Sequence, residues 1–157
     1  MNTLRVLVVE EDQSVLNTCC SWLIDEGCEV STQRTAANIQ QCMRRARAEI
    51  VLIDPLMSDL SSEELVLLLA RCQHPGAPSI ILHSRLSEQL LHLVVDPKNA
   101  RGIIHKTNNA AEFLRAFRAL TRATWSMPAR PASATSGTHR IDGMGELVVL
   151  SRARQGR

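Results

Sequence analysis

The segment that most constrains the fold is an apolar run that ends abruptly in a carboxylate. Residues 50–53 read Ile-Val-Leu-Ile, and Asp54 and Pro55 follow directly. Such a run is typical of a strand that is buried on both faces of a parallel sheet. Asp54 then lies at the carboxyl end of the strand, which is the edge at which open α/β sheets bind ligands. The alternative is that Asp54 only caps a turn before the proline.

The rest of the chain up to residue 122 alternates strand patterns with helix patterns. We predict strands at 5–9, 28–32, 50–53, 79–84 and 102–106, and helices at 12–26, 35–47, 61–70, 86–95 and 110–122. This alternation predicts an α/β fold in which helices cover both faces of a parallel sheet. The pattern alone leaves the order of the strands open.

Composition excludes several classes of protein. The chain has 157 residues, of which 45% are hydrophobic, and this suffices for one domain with a real core. Aromatic residues are only 3% and the formal net charge is +2, which argues against a nucleic-acid-binding surface. Five cysteines without a C-x-x-C pair indicate a reducing, cytoplasmic location. We expect no signal peptide and no membrane contact, because no apolar run approaches the ~20 residues of a membrane span.

The composition changes after residue 122, and we divide the chain into a domain at 1–122 and a tail at 123–157. Prolines and a Ser/Ala/Thr-rich run at 132–138 predict a flexible linker. The pattern around Asp142-Gly143 allows a small hairpin at 139–151, which would need a surface on which to dock. A tail of this size is too short for an independent DNA-binding domain.

Polar residues follow several of the predicted strands. Glu10 and Glu11 follow the first strand, Asp54 the third, Ser84 ends the fourth and Lys106 ends the fifth. If the strands are parallel, all of these residues face one crevice. Clustered carboxylates favour a hard cation such as Mg²⁺, and a lysine and a hydroxyl facing them would bind an anion. This combination is typical of phosphoryl transfer to a carboxylate nucleophile.

These strand ends also resemble a known family, the receiver domain of two-component response regulators. The resemblance covers about residues 4–122 and is carried by four segments in order: Val8-Val9-Glu10-Glu11, Val51-Leu52-Ile53-Asp54, Leu82-His83-Ser84 and Gly102-Ile103-Ile104-His105-Lys106. It implies a flavodoxin-like, doubly wound, five-stranded parallel sheet of order 2-1-3-4-5 with five helices.

The same resemblance assigns roles to individual residues. It implies Asp54 as the phosphoryl acceptor, with Glu10, Glu11, Asp54 and the carbonyl of Leu56 as ligands of Mg²⁺. Lys106 would be the counter-ion of the phosphoryl group, and Ser84 the hydroxyl that turns toward it.

The hydroxyl position has two candidates. Counted from Pro78, His83 fills it, whereas keeping the apolar run 80–82 in register with the family places Ser84 there. We favour Ser84.

Two hypotheses about function follow. In the first, Asp54 accepts a phosphoryl group from a sensor histidine kinase or a phosphotransfer protein. The chain is then no enzyme beyond autocatalytic acceptance and hydrolysis, and it signals to a downstream protein through the face of helix 86–95 and strand 102–106. A phosphatase that uses Asp54 as nucleophile is disfavoured, because Leu56 stands where such enzymes commonly carry an acid/base aspartate.

The second hypothesis is a pseudo-receiver, an interaction module that acts without phosphorylation. It rests on three departures from the family pattern. Glu11 replaces an aspartate, Thr107 replaces a proline, and Ile103 replaces an aromatic switch residue.

Overall fold

A computed structural model describes residues 3–122 of the chain, together with the backbone of residues 136–140 and 148–152. Its strands are β1 Arg5–Val9, β2 Glu29–Gln33, β3 Ile50–Ile53, β4 Ser79–Ser84, β5 Gly102–His105, β6 Ser136–Arg140 and β7 Val148–Arg152. Its helices are α1 Gln13–Asp25, α2 Ile39–Arg45, α3 Ser62–Arg71, α4 Glu88–Leu91 and α5 Ala110–Thr121. A short 3-10 helix, Pro97–Asn99, lies between α4 and β5.

Strands β1 to β5 form a parallel sheet of order 2-1-3-4-5, with β1 between β2 and β3. Val9 lies opposite Ile53 at the ends of β1 and β3, and Ile53 lies opposite Leu82 of β4. The predicted fold class and strand order are therefore confirmed. Because the strands are parallel, their carboxyl ends meet at one edge of the sheet.

Two antiparallel strands extend this sheet beyond β2. Strand β7 pairs with β2, with Val149 opposite Ser31, and β6 pairs with β7. The full order is β5-β4-β3-β1-β2-β7-β6. Strand β6 begins at Ser136, so residues 136–138 of the run that we predicted as a flexible linker at 132–138 lie in a strand, which with β7 extends over the region of the predicted hairpin. Residues 123–135 and 141–147, the latter containing Asp142-Gly143, lie outside the described residues.

Side-chain caps stabilise the N-termini of the longer helices. The Asp12 carboxylate accepts from Ser14 N and Val15 N at the start of α1. Ser61 and Glu64 form a capping box at the start of α3, and the Asn109 side chain accepts from two amides at the start of α5. Each cap satisfies backbone donors that have no partner within the helix.

The predicted helix at 86–95 is wrong in length. The α-helix spans only Glu88–Leu91, after which Val94 N and Val95 N both donate to the Leu91 carbonyl. Pro97 disfavours helical dihedrals only in Asp96, so it does not account for the end of the α-helix at Leu91. Leu93, beyond the C-terminus of α4, is 82% exposed.

The predicted helix at 35–47 is also too long. Asn38, at the N-cap of α2, and Arg47, beyond its C-terminus, both have positive φ, at 55° and 46°. Left-handed residues cannot belong to a right-handed helix, so the helix is confined to Ile39–Arg45.

The core has two layers, one on each face of the sheet. Alternation along the strands sends Val8 and Leu52 toward α1 and α5, and Val9 and Ile53 toward α2 and α3. On the first face the ring of Phe113 lies 5.3 Å from that of Trp22 and 6.2 Å from that of Phe117. Each fully buried aromatic or aliphatic side chain contributes about 1.5–3 kcal/mol.

Within the residues described, no helix combines the length and apolar character needed to cross a membrane.

Candidate functional site

The candidate site lies where β1, β3 and β5 end. Backbone pairing continues one residue past the strands, because Asp54 N donates to the Val9 carbonyl at 3.1 Å and Glu10 N donates to the Gln33 carbonyl at 3.0 Å. Lys106 N likewise donates to the Ser84 carbonyl at 2.9 Å. The sheet itself therefore fixes the positions from which these side chains leave.

Lys106 joins the two carboxylates. Its Nζ lies 2.5 Å from Asp54 Oδ2 and 2.7 Å from Glu10 Oε2. All three side chains are largely buried, with exposures of 9% for Lys106, 12% for Asp54 and 2% for Glu10. The structure thus brings together three residues from distant parts of the chain.

The protonation state of Lys106 follows from these contacts. Burial by itself would lower its pKa, but the hydrogen bonds to Asp54 and Glu10 outweigh burial, so the pKa lies above its ordinary value. The ammonium is therefore charged at neutral pH.

The remaining carboxylate oxygens are held by backbone amides. Asp54 Oδ1 accepts from Leu56 N at 2.8 Å, and Glu10 Oε1 accepts from Asp12 N at 3.0 Å. Each carboxylate is thus oriented by the turn that follows its strand and by the ammonium. The carboxylate oxygens of Asp54 and Glu10 are therefore held in fixed positions in the absence of a ligand.

Glu11 lies apart from this group. Its Oε2 accepts from Ser58 Oγ at 2.7 Å and from Ser58 N at 3.2 Å, and these hydrogen bonds hold its pKa below the ordinary value. In the part of the chain that the structure describes, Glu11 forms no ion pair with Lys106. Glu11 instead ties the end of β1 to the loop after β3, a role for Ser58 that the sequence pattern did not signal.

The donor set decides whether Mg²⁺ fits. Glu10 and Asp54 converge on one point and carry two negative charges against one ammonium, so a further cation is favourable there. Mg²⁺ commonly takes only one or two protein carboxylates. Among the described residues no group of three metal-ligating side chains converges. The structure therefore offers a cation two carboxylates here, Glu10 and Asp54, while the Glu11 carboxylate is bound to Ser58.

Of the two candidates for the hydroxyl position, the geometry favours His83. The Ile53–Leu82 pair makes His83 the residue across from Asp54. His83 contacts Cys19 and Phe113, on the α1 and α5 face, so alternation directs Ser84 to the opposite face. Ser84 Oγ accepts from Leu86 N at 3.1 Å. The preference for Ser84 therefore finds no support in this arrangement.

His83 is a buried, neutral imidazole. Burial is the main cause that lowers its pKa, to about 3, and the positive charges of Lys106 and Arg85 act in the same direction. A cavity of about 190 Å³ lies beside it, bordered by residues that include Asp12, Cys19 and Lys106. This cavity, which Lys106 also borders, is thus lined by an imidazole where the resemblance implied a small hydroxyl.

The fold is shared with solved receiver domains. The signal receiver domain of a response regulator from Bermanella marisrubri matches with a TM-score of 0.64 and 18% identity, over 76% of this chain and 99% of that chain. The chemotaxis response regulator CheY4 of Vibrio cholerae matches with a TM-score of 0.64 and 19% identity, over 76% and 99%. A CheY-like receiver domain protein from Methanospirillum hungatei gives 0.62 and 21%, over 77% and 96%.

No family model and no curated protein matches the chain. The similarity to these structures therefore establishes the fold: the chain has the receiver-domain architecture of response regulators.

Proposed function

We propose that this chain is a cytoplasmic response-regulator receiver in which Asp54 accepts a phosphoryl group. The contact between Lys106 Nζ and Asp54 Oδ2 carries the proposal. It pairs a buried carboxylate with a cation at the edge of the sheet where ligands bind, and it does so within the receiver fold.

The proposed reaction is a transfer between proteins. An Asp54 carboxylate oxygen attacks the phosphorus of a phosphohistidine on a sensor kinase or phosphotransfer protein. The P–O bond forms as the P–N bond breaks, and the imidazole that leaves takes up a proton.

Lys106 supplies the charge partner for this step. Its ammonium already lies against Asp54, so it can neutralise a phosphoryl oxygen without a large movement. Glu10 holds the ammonium from the other side. A Mg²⁺ ion held by Glu10 and Asp54 would supply further neutralisation of phosphoryl charge when bound. The Leu56 carbonyl remains a proposed additional ligand.

The chain would signal to a downstream protein by direct contact. The strand Gly102–His105 and the segment around α4 form the proposed partner surface, where Leu90 and Leu93 are exposed by 49% and 82%. Clusters of exposed apolar side chains are common at protein interfaces.

Labelling with a small phosphodonor tests the proposal. Purified chain is incubated with acetyl phosphate over a Mg²⁺ titration, and the intact mass is followed. The expected result is one added phosphoryl group that requires Mg²⁺ and is absent in Asp54→Asn. Equal labelling of the variant would exclude Asp54 as the acceptor.

A pseudo-receiver is the second candidate function. It is favoured by Glu11, whose carboxylate is bound to Ser58, and by His83 in place of a hydroxyl beside the acceptor. Under this alternative, wild type takes no label from acetyl phosphate, and Asp54→Asn leaves partner binding unchanged. The labelling experiment therefore separates the two functions.

A further inference from the structure

A second concave site lies at the opposite edge of the sheet, where β1, β3 and β4 begin. It is a groove of about 770 Å³, which is within the size range of small-molecule sites. Met43 and Leu68 are buried and contribute an apolar floor. We call it the basic groove because four arginines line it: Arg5, Arg44, Arg47 and Arg71.

The charge of the basic groove is strongly one-sided. Four arginines stand against one carboxylate, Glu49, which leaves an excess of three positive charges when His74 is counted as neutral. Glu49 Oε2 lies 3.6 Å from the Arg5 guanidinium, so Glu49 compensates the positive charge of Arg5. Among the described residues, Arg44, Arg47 and Arg71 have no carboxylate within ion-pair distance.

The ordinary explanation for two of these arginines is helix capping. Arg44 lies in the last turn of α2 and Arg71 ends α3, and a cation at a helix C-terminus is favourable. Each helix end carries only about half a negative charge, however, so the two ends offset about one of the three excess charges. The groove remains positive after this correction.

Arg47 has no such explanation. Ala48 N donates to the Met43 carbonyl and Arg47 N donates to the Arg44 carbonyl, which is the Schellman pattern, and Arg47 has φ of 46°. Glycine is the residue that adopts this left-handed position without steric cost.

The chain uses glycine in the same motif elsewhere. At the end of α1, Cys28 N donates to the Leu23 carbonyl and Gly27 N to the Ile24 carbonyl, and Gly27 has φ of 90°. An arginine at the equivalent place costs about 1 kcal/mol of backbone strain. Strain of this kind often marks a functional position.

The strained turn is also held in place. Arg5 Nε donates to the Arg47 carbonyl at 2.7 Å, so β1 fixes the backbone from which the Arg47 side chain leaves. Arginine presents a planar fork that pairs with phosphate oxygens in bidentate fashion.

We infer that the basic groove binds an oligophosphate group, held by Arg44, Arg47 and Arg71. The shared chemistry is a run of two or more phosphates, which a free polyphosphate and a nucleoside triphosphate both offer. The site is separate from the Asp54 site, because it lies at the amino ends of the strands.

Isothermal titration of the full chain at low salt tests this inference, with sodium tripolyphosphate and ATP as separate ligands. If both ligands bind, the phosphates are the recognised group. If only ATP binds, recognition also requires the nucleoside. Binding of neither ligand would overturn the inference.

Variants locate the site. Arg47→Gly and Arg71→Gln are each expected to weaken binding about tenfold, the usual loss for one charge-assisted contact. Arg45→Gln is the matched control, because Arg45 is an exposed neighbour on α2 that does not line the groove. An equal loss in Arg45→Gln would show general surface attraction and overturn the assignment.

Arg47→Gly has a second readout. Glycine relieves the left-handed strain, so this variant should unfold at an equal or higher denaturant concentration while it binds oligophosphate more weakly. Weaker binding together with loss of stability would point to a merely structural role for Arg47 and contradict the inference.

Discussion

Both ring nitrogens of His83 lie 4.0 Å from Cys19 Sγ, so the imidazole of β4 packs against a thiol of α1. Phe113 completes the enclosure with its ring centroid 5.6 Å away. The thiol is itself neutral, because burial raises the pKa of Cys19 to about 12. A neutral imidazole thus lines the pocket that Lys106 also borders.

This burial predicts a pH dependence of stability. The folded pKa of His83 is about 3 and the ordinary value is 6.5, so the unfolded chain binds more protons between these values. The contribution of His83 is complete above the unfolded pKa and is lost as the pH falls. At pH 5 the loss amounts to about 2 kcal/mol.

Urea unfolding at pH 7, 6 and 5 measures this effect. His83→Gln cannot titrate, so its free energy of unfolding should fall less steeply than that of wild type. Parallel curves for the two proteins would mean that His83 is not held neutral by the fold.

The ion pair of Lys106 with Asp54 predicts a strong energetic coupling. Lys106→Met leaves two buried carboxylates, Asp54 and Glu10, without their cation, and we expect a loss of about 3 kcal/mol. The double variant Asp54→Asn/Lys106→Met should lose less than the sum of the single variants, because one of the two charges is gone. Denaturant melts of the four proteins give the coupling, and additive losses would rule out a direct pair.

The pairing of β7 with β2 predicts an effect of truncation. Removal of residues 123–157 uncovers the edge of β2, which then presents unpaired backbone groups. We expect self-association by size-exclusion chromatography and a lower melting temperature.

A single substitution provides the control for truncation. Val149 lies opposite Ser31, and Val149→Pro keeps the chain length while removing one backbone donor from β7. A truncated chain that remains monomeric and equally stable would show that β7 does not protect β2.

The fold could be predicted from the sequence because its strands are apolar runs separated by helix patterns of ordinary length. Asp54 and Lys106 were found for the same reason, since each directly follows such a run and parallel strands end together. Their contact is therefore a consequence of topology.

Other parts of the site could not be predicted in this way. A shift of one residue in β4 exchanges the two faces of the strand, so the apolar run alone does not decide between His83 and Ser84. The direction of Glu11 depends on Ser58, in a loop whose path the strand pattern does not specify. The end of α4 at Leu91 could not be predicted either, because the apolar spacing of 86–95 continues through Val94 and Val95.

The central claim is that Asp54 takes a phosphoryl group in the pocket formed with Lys106. Leu56 N donates to Asp54 Oδ1, so its amide resonance reports directly on that carboxylate. Beryllium fluoride, a phosphoryl mimic, is added with Mg²⁺ to ¹⁵N-labelled protein. The account predicts a shift of the Leu56 amide in wild type and none in Asp54→Asn, and an unchanged Leu56 amide in wild type would contradict it.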